Sequence, residues 1–281
     1  MKKIGFIDYY ISEWHANNYP EWIKEISLEL GLGVTVSHAY AELDISPFDG
    51  VSTDEWCARV GAKRCNTISE LCLACDYVCI LAPSNPEKHL EYCREAFKYS
   101  KPTYVDKTFA PDYATAKSIF ELGELYGTSF FSTSALRYAD ELSDVLGADA
   151  LTVTGSGSNF EEYFIHIAEI CVKALGTDIS HVTARAVGKE QTAVIVELAS
   201  GKRANLTFAP NLPYSVCAER GGESVYKRIE SRYFLGLIKD MLTFFTSGKP
   251  SFEGAETLAV ARLREAALLS RKMGGERIAL G

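Results

Sequence analysis

The chain has 281 residues, of which 47% are hydrophobic, and it carries a formal net charge of -8 with a pI near 5.3. This composition is ordinary for a globular protein, and the length allows two domains, each with its own core. Because nucleic acids and anionic membranes bind basic faces, the acidic balance argues against both and favours small-molecule ligands.

The sequence also bears on cellular location and on metal binding. No stretch approaches the roughly 18 consecutive apolar residues that a membrane-spanning helix needs, and the first residues turn polar too soon for a signal peptide. We therefore expect a cytoplasmic protein. Cys72 and Cys75 form a C-x-x-C pair, but no second pair lies at zinc-site spacing, so we expect them to be structural and expect no metal site.

Short apolar runs alternate with helical patterns over residues 1–126. The expected strands cover residues 4–8, 34–37, 77–82 and 103–105, followed by a short strand at 129–132. The expected helices cover residues 12–30, 54–60, 68–75 and 112–126, with a further helix that ends near residue 99. This alternation predicts a Rossmann-like, doubly wound parallel sheet in a domain of residues 1–126.

In residues 127–281 the predicted helices and strands follow a different order. We expect helices over residues 139–146 and 159–175, a strand over 150–154, then several strands in succession, and two closing helices. Hydrophobic and polar residues alternate from Lys202 to Phe208, and Ser200-Gly201 and Gly221-Gly222 are typical hairpin turns. The pattern predicts an α+β domain whose mainly antiparallel sheet has one open face.

Asp106 and Lys107 directly follow the expected strand 103–105. Open α/β sheets bind ligands at the carboxyl ends of their strands, so Lys107 is a candidate site residue, although a surface lysine that caps a strand remains an equal alternative. Pro83 begins another strand-end loop, in which Asn85 either contacts a ligand or caps the following helix.

A second group of candidates lies in the other half of the chain. Glu162 and Glu169 flank His166 at helical spacing, and a carboxylate beside an imidazole orients an acid/base histidine. The alternative is an exposed i,i+4 pair without a catalytic role. Ser134 and Arg137 follow the short strand at 129–132, where a guanidinium either holds a polar substrate or links the domains by a salt bridge.

In this order and spacing the motifs resemble the glucose-fructose oxidoreductase, inositol dehydrogenase and MocA family (Gfo/Idh/MocA) of NAD(P)-dependent sugar and polyol oxidoreductases. Asp106, Lys107 and Thr108 occupy the places of the family's E-K-P motif, which here follows a P-x-x-x-x-x-H segment that begins at Pro83. The segment 131–138 is similar to the one that carries an arginine in the family.

The match extends to the family's active-site helix. His166, Glu169 and Gly176 lie at that helix's offsets, and Glu162 replaces an aspartate. The resemblance covers nearly the whole chain.

The resemblance implies specific roles. His166 is the general base, Lys107 orients or helps to deprotonate the substrate hydroxyl, and Glu162 tunes His166, while hydride passes to C4 of the nicotinamide. Substrate-binding residues are then Lys107, Ser134, Arg137 and His166. The implied contacts to NAD or NADP are Asp8, Tyr9, Tyr10, Ser37, Pro83, Asn85 and Asp106. The resemblance further implies a homodimer through the open face of the second sheet.

The first turn departs from the family. A dinucleotide fold needs G-x-G-x-x-G after the first strand, but Asp8 to Glu13 contains no glycine, and its two acids would repel a phosphate. Two hypotheses therefore stay open. One is an oxidoreductase that holds its nicotinamide cofactor in an altered way, stacked on Tyr9 or Tyr10. The other is a cofactor-free metabolite-binding or regulatory protein. After the second strand, Ser37, like its neighbours, does not distinguish NAD from NADP.

Overall fold

The computed structural model describes residues 1–280 and divides into two compact units. Unit 1 comprises residues 1–133 and 237–252, and unit 2 comprises residues 134–236 and those from 253 onward. This division differs from the expected boundary after residue 126, because residues 127–133 and a later segment belong with the first unit.

Unit 1 is built on a parallel sheet. Its strands are β1 (Lys2–Asp8), β2 (Val34–Ala41), β3 (Lys63–Arg64), β4 (Tyr77–Ile80), β5 (Thr103–Val105) and β6 (Phe130–Phe131). Its helices up to residue 126 are α1 (Trp14–Leu30), α2 (Thr53–Val60), α3 (Ile68–Ala74), α4 (His89–Ala96) and α5 (Tyr113–Tyr126). The strand order β3-β2-β1-β4-β5-β6 is that of dinucleotide-binding folds, which confirms the predicted Rossmann-like sheet.

Unit 2 is an α+β unit. The elements that complete the chain are β7 (Ala150–Gly155), α6 (Phe160–Leu175), β8 (Ile179–Ala186), β9 (Thr192–Leu198), β10 (Arg203–Phe208), β11 (Ser215–Arg220), β12 (Glu223–Arg228), α7 (Tyr233–Ser247), α8 (Gly254–Lys272) and β13 (Ile278–Ala279). The strand order is β12-β11-β7-β10-β9-β8-β13, and only β7 and β10 pair in parallel. The predicted, mainly antiparallel sheet is confirmed.

Helix α7 explains why the chain returns to unit 1. The Phe245 ring stacks on Tyr77 of β4, with 4.8 Å between ring centroids, and Phe244 meets Phe131 of β6 edge-on at 5.0 Å. The free energy gained by burying such aromatic side chains, rather than the position of the helix in the sequence, determines which core the helix joins. The aromatic residues of β4, of β6 and of the last turns of α7 therefore belong to one core.

The expected α-helix over residues 139–146 is wrong. The chain instead forms two short 3₁₀-helices, Ala135–Tyr138 and Asp140–Asp144, with extended backbone at Ala139 between them. The buried side chains recur at every third residue, which is the repeat of a 3₁₀-helix rather than of an α-helix. They are Leu136, Ala139, Leu142 and Val145.

Helices α6 and α8 cover one face of the unit 2 sheet, and the other face is open. The alternation predicted for β10 is confirmed, since the side chains of Ala204, Leu206 and Phe208 are buried whereas Arg203 and Asn205 are exposed. On β9, Ile195 lies directly opposite Asn205 and keeps 46% of its surface exposed. An aliphatic side chain thus lies in the middle of the open face.

Among residues 1–280, none of the helices is both long and apolar enough to cross a membrane. All eight cysteines are free thiols. Cys72 and Cys75 are buried, and burial raises the pKa of Cys72 to about 12 and that of Cys75 to about 11. Both therefore stay protonated at neutral pH and pack as small apolar side chains.

Gly5 controls how closely α3 packs on β1. A Cβ atom at Gly5 would come within 2.3 Å of Leu71 Cδ2 and within 3.0 Å of Cys75 Sγ, and both of these residues are buried. The missing side chain therefore allows close approach of the helix to the strand.

We predict that Gly5→Ala destabilises the protein by about 1–3 kcal/mol, because the added methyl group overpacks the α3–β1 contact. Urea unfolding followed by circular dichroism measures this change. Gly188→Ala is the matched control: no heavy atom of the described chain lies within 4 Å of a Cβ atom there, so a change within about 0.5 kcal/mol is expected. Equal unfolding midpoints for the two variants would contradict the proposed close packing.

Candidate active site

Asp106 lies immediately after β5 and is almost fully buried. One carboxylate oxygen accepts hydrogen bonds from the Tyr104 hydroxyl at 2.8 Å and from the backbone N–H of Lys107 at 2.9 Å. The other oxygen pairs with Nδ1 of His15, in the first turn of α1. Burial alone would raise the pKa of Asp106, but the charges of His15 and Lys107 together with the hydrogen bonds from His15 and Tyr104 outweigh burial and lower the pKa, so the carboxylate stays ionised.

Lys107 is held between the ends of β4 and β5. Its Nζ donates a hydrogen bond to the Pro83 carbonyl oxygen at 3.4 Å, and the residue is 8% exposed. His89 fixes this region, since its Nε2 lies 2.6 Å from the Leu81 carbonyl oxygen and its Nδ1 lies 3.0 Å from that of Phe109. The histidine of the P-x-x-x-x-x-H segment thus ties the two strand-end loops together.

Asn85 does not cap the following helix with its side chain. It precedes a 3₁₀-helix at Pro86–Lys88, and its Nδ2 donates to the Glu87 carboxylate at 3.0 Å. The capping alternative considered for Asn85 is therefore wrong, and its contact with a cofactor stays a prediction.

Asp8 joins the ends of β1 and β4. Its Oδ1 accepts from the N–H groups of Tyr9 at 2.7 Å and Ala82 at 3.1 Å. Its Oδ2 is buried and has no hydrogen-bond partner among the described residues. Burial, reinforced by the charge of Glu13, raises the pKa of Asp8 well above its ordinary value.

Glu13 caps the amino terminus of α1. One of its carboxylate oxygens accepts from the His15 N–H at 2.8 Å, and the other accepts from the Ala16 N–H. Glu13 is 6% exposed, and burial raises its pKa even though the His15 charge and the amide hydrogen bonds act in the opposite direction. Its side chain therefore satisfies amides that face the end of the sheet.

The turn after β1 does not fit the diphosphate of a dinucleotide. In Rossmann folds the diphosphate lies on the first amide groups of the helix after β1, beside glycines. Here Glu13 binds two of those amides, and Tyr9 and Tyr10 stand where side chains would have to be absent. The ring of Tyr9 instead lies 5.4 Å from the Lys88 ammonium group.

Ser37 does not lie at the carboxyl end of β2, and its contact with the cofactor stays a prediction. Strand β2 pairs with β1 up to Ala41 opposite Asp8, which puts Ser37 in mid-strand, where its hydroxyl donates to the Ile4 carbonyl oxygen. Glu42 is the first residue after β2. An acid at this position contacts the ribose in dinucleotide folds, and here its carboxylate accepts from Lys88 at 2.6 Å and from Tyr92 at 2.8 Å.

His166 of unit 2 lies on α6, and its Nδ1 is 2.6 Å from the Ser134 hydroxyl oxygen. That hydroxyl also accepts from the Leu136 N–H at the start of a 3₁₀-helix, which fixes its position. The structure therefore brings together two of the predicted substrate-binding residues. The Glu162 carboxylate interacts with the Asn159 side chain at the α6 amino terminus, so its tuning of His166 stays a prediction.

Arg137 is the centre of a buried ion-pair network within unit 2. Its guanidinium donates to the carboxylate of Glu169 at 2.8 Å and to that of Glu256 of α8. The network continues to Ser134, whose N–H donates to Glu169, and to Lys173, whose Nζ donates to the Arg137 carbonyl oxygen. Burial alone would lower the pKa of Arg137, but Glu169 and Glu256 outweigh it and raise the pKa. Glu169 and Glu256 both lie in unit 2.

Sequence reasoning missed His15 and Glu42 as candidate site residues and treated Glu13 only as a repulsive charge. The available signal for His15 was its position in the first turn after β1, because that turn and Asp106 lie at the same edge of a parallel sheet. Glu42 was missed because β2 was predicted to end four residues too early.

Comparison with known proteins finds no matching family model and no matching curated protein. Solved structures do match. A probable dehydrogenase from Thermotoga maritima matches with a TM-score of 0.81 at 14% identity, covering 99% of this chain and 98% of that one. GenD2 from gentamicin A biosynthesis, in complex with NAD, matches with a TM-score of 0.79 at 16% identity, covering 100% and 97%.

A third structure is scyllo-inositol dehydrogenase from Lactobacillus casei with bound NAD(H) and scyllo-inositol. Its TM-score is 0.75 at 12% identity, and the match covers 99% of this chain and 98% of that one. Similarity at such low identity establishes the fold and leaves the chemistry to the site residues. The chain therefore has, over nearly its whole length, the fold of the inositol dehydrogenases and related Gfo/Idh/MocA-type dehydrogenases that its motifs resemble.

Proposed function

We propose that the protein is an NAD(P)-dependent oxidoreductase that acts on a CH–OH group, or the corresponding carbonyl, of a sugar, polyol or related small molecule. The observation that carries the proposal is the placement of Lys107 at the carboxyl end of β5, where it is held by the Pro83 carbonyl oxygen. The matching structures with NAD, or with NAD(H) and scyllo-inositol, support the cofactor and substrate classes.

Proton transfer is the part of the reaction that belongs to this chain's own residues. His166 accepts the proton of the substrate hydroxyl, and Ser134 orients the imidazole ring through its bond to Nδ1. The Lys107 ammonium group donates a hydrogen bond to the substrate oxygen and stabilises negative charge on it. Glu162 tunes His166, and Ser134 and Arg137 contribute to substrate binding, while Arg137 also holds the Ser134 segment through Glu169.

The proposed contacts to the nicotinamide cofactor come from Asp8, Tyr9, Tyr10, Ser37, Pro83, Asn85 and Asp106. Because the diphosphate does not fit the turn after β1, we assign no step of the reaction to the cofactor's position. A cytoplasmic location stays a prediction.

A second candidate function is favoured by one observation. Glu13 already binds the α1 amides that a dinucleotide needs, which suits a cofactor-free protein that binds a metabolite or regulates a partner. The two functions differ in whether a nicotinamide ligand binds at all.

We predict that NADH or NADPH binds the purified protein at submillimolar concentration, measured by the fluorescence of the reduced nicotinamide and by calorimetry. Binding of either cofactor supports the oxidoreductase. If neither binds at a concentration of several millimolar, the oxidoreductase proposal is wrong and the cofactor-free function takes its place.

We predict that Lys107→Ala and His166→Ala each lower kcat by about 100-fold or more on a substrate found among inositols and nucleotide sugars. If both residues act on one hydroxyl, the double variant loses little more than the slower single variant, because groups that act as a unit are not additive. Lys101→Ala and His181→Ala are the matched controls and should retain activity. Normal turnover in both single variants would remove the assigned roles.

We also propose a homodimer through the open face of the unit 2 sheet. Thr183, Ile195, Asn205 and Thr152 lie side by side across four neighbouring strands of that face. The row combines one exposed aliphatic side chain with short polar ones, which allows two sheets to meet face to face.

We predict that Ile195→Arg turns the dimer into a monomer, because a charged side chain cannot be buried unpaired in such an interface. Light scattering coupled to size-exclusion chromatography gives the mass. Leu28→Arg, which changes an equally aliphatic residue that is 75% exposed on α1, should leave the dimer intact. A monomeric wild-type protein at micromolar concentration would overturn the proposal.

A further inference from the structure

We infer that Glu13 occupies the anion-binding amino terminus of α1 from within the chain, so that a nicotinamide ligand is not held there by its diphosphate. The inference rests on the proposed function only for the identity of that ligand. On this view the free amides at the start of α1 are hydrogen-bonded to a side chain of the chain itself.

The free amides at the amino terminus of α1 are already hydrogen-bonded within the chain. The amino-terminal N–H groups of a helix attract anions because they lack intrahelical acceptors. In α1 the N–H groups of His15 and Ala16 donate to the Glu13 carboxylate, and the N–H of Asn17 donates to the Glu13 carbonyl oxygen at 2.9 Å. The Glu13 side chain thus takes two successive free amides, and the Asn17 N–H already makes the first intrahelical hydrogen bond.

The crevice between the ends of β1 and β4 provides an observation that does not involve the helix amides. Dinucleotides cross a parallel sheet at the crevice between the strands where the order reverses, here β1 and β4. The Asp8 carboxyl group spans that crevice by accepting from the Ala82 N–H at 3.1 Å. Its Oδ2 is buried without a hydrogen-bond partner in the described part of the chain, so a polar atom lies at the place where ligands enter in this fold class.

Three carboxyl groups lie together beside this crevice. Asp8, Glu13 and Asp106 lie close enough to influence one another's ionisation, and His15 is paired with Asp106. A diphosphate brought to these carboxyl groups would meet negative charge in a buried setting, where Coulomb repulsion is strong. Removal of the Glu13 carboxylate would both free the amides and reduce that repulsion.

The test compares wild type with Glu13→Gly and a matched control, Asp112→Gly. Asp112 caps α5 by accepting from the Thr115 N–H at 2.7 Å, so this control also loses a carboxylate cap, but on another helix. Each protein is titrated with NADH and with reduced nicotinamide riboside, which lacks phosphates, and its Tm is recorded with and without inorganic diphosphate. Glu13→Ala, which also removes the acceptor from the amides and the charge, replaces Glu13→Gly if the latter does not fold.

We expect Glu13→Gly to bind NADH about tenfold or more tightly than wild type, with unchanged affinity for the riboside. Inorganic diphosphate should raise the Tm of Glu13→Gly by about 2 °C or more, and should leave wild type and Asp112→Gly unchanged. Equal or weaker NADH binding by Glu13→Gly, or an equal gain for the riboside, would overturn the inference.

The diphosphate measurement separates this inference from the proposed function. If no nicotinamide ligand binds any of the proteins but diphosphate stabilises Glu13→Gly alone, the oxidoreductase proposal fails and the inference about Glu13 is supported. If diphosphate stabilises Glu13→Gly no more than Asp112→Gly, the inference fails whatever NADH does.

Discussion

A buried carboxylate at the end of β5 sets the arrangement of unit 1's functional edge. Asp106 cannot remain ionised in the protein interior unless its oxygens are hydrogen-bonded and a positive charge is near. Tyr104 and the Lys107 N–H satisfy one oxygen, and His15 satisfies the other. The same hydrogen bonds fix the backbone of Lys107 where it leaves the strand. The position of Lys107 therefore depends on the hydrogen bonds that Asp106 requires.

The pairing of Asp106 with His15 also explains why α1 begins as it does. The imidazole must reach the sheet edge from the first turn of the helix, which brings the cap residue Glu13 into the same crowded space. Three acidic groups then lie together, and burial raises the pKa values of Asp8 and Glu13. A crevice that in related folds is left open for an anion is here filled and stabilised by the chain's own side chains.

The alternation of strands and helices predicted the fold, because each parallel strand must be covered by helices in order. The position of Lys107 could be predicted for the same reason, since it depends only on where β5 ends, and its role in the site stays a prediction. The 3₁₀-helices around Ala139 were missed because a repeat of three was taken for one of 3.6. The end of β2 was placed too early because the length of β2 is set by pairing with β1, and the His15–Asp106 bond joins residues 91 positions apart, beyond any local pattern.

Unit 2 uses ionic contacts in a different way. Arg137 is buried between Glu169 and Glu256, and such a pair is costly to separate because either partner would be left as an uncompensated charge. Glu169 also accepts from the Ser134 N–H, so the network fixes the residue whose hydroxyl meets His166. The guanidinium of Arg137 thus supports, through Glu169 and Ser134, the orientation of the His166 imidazole ring.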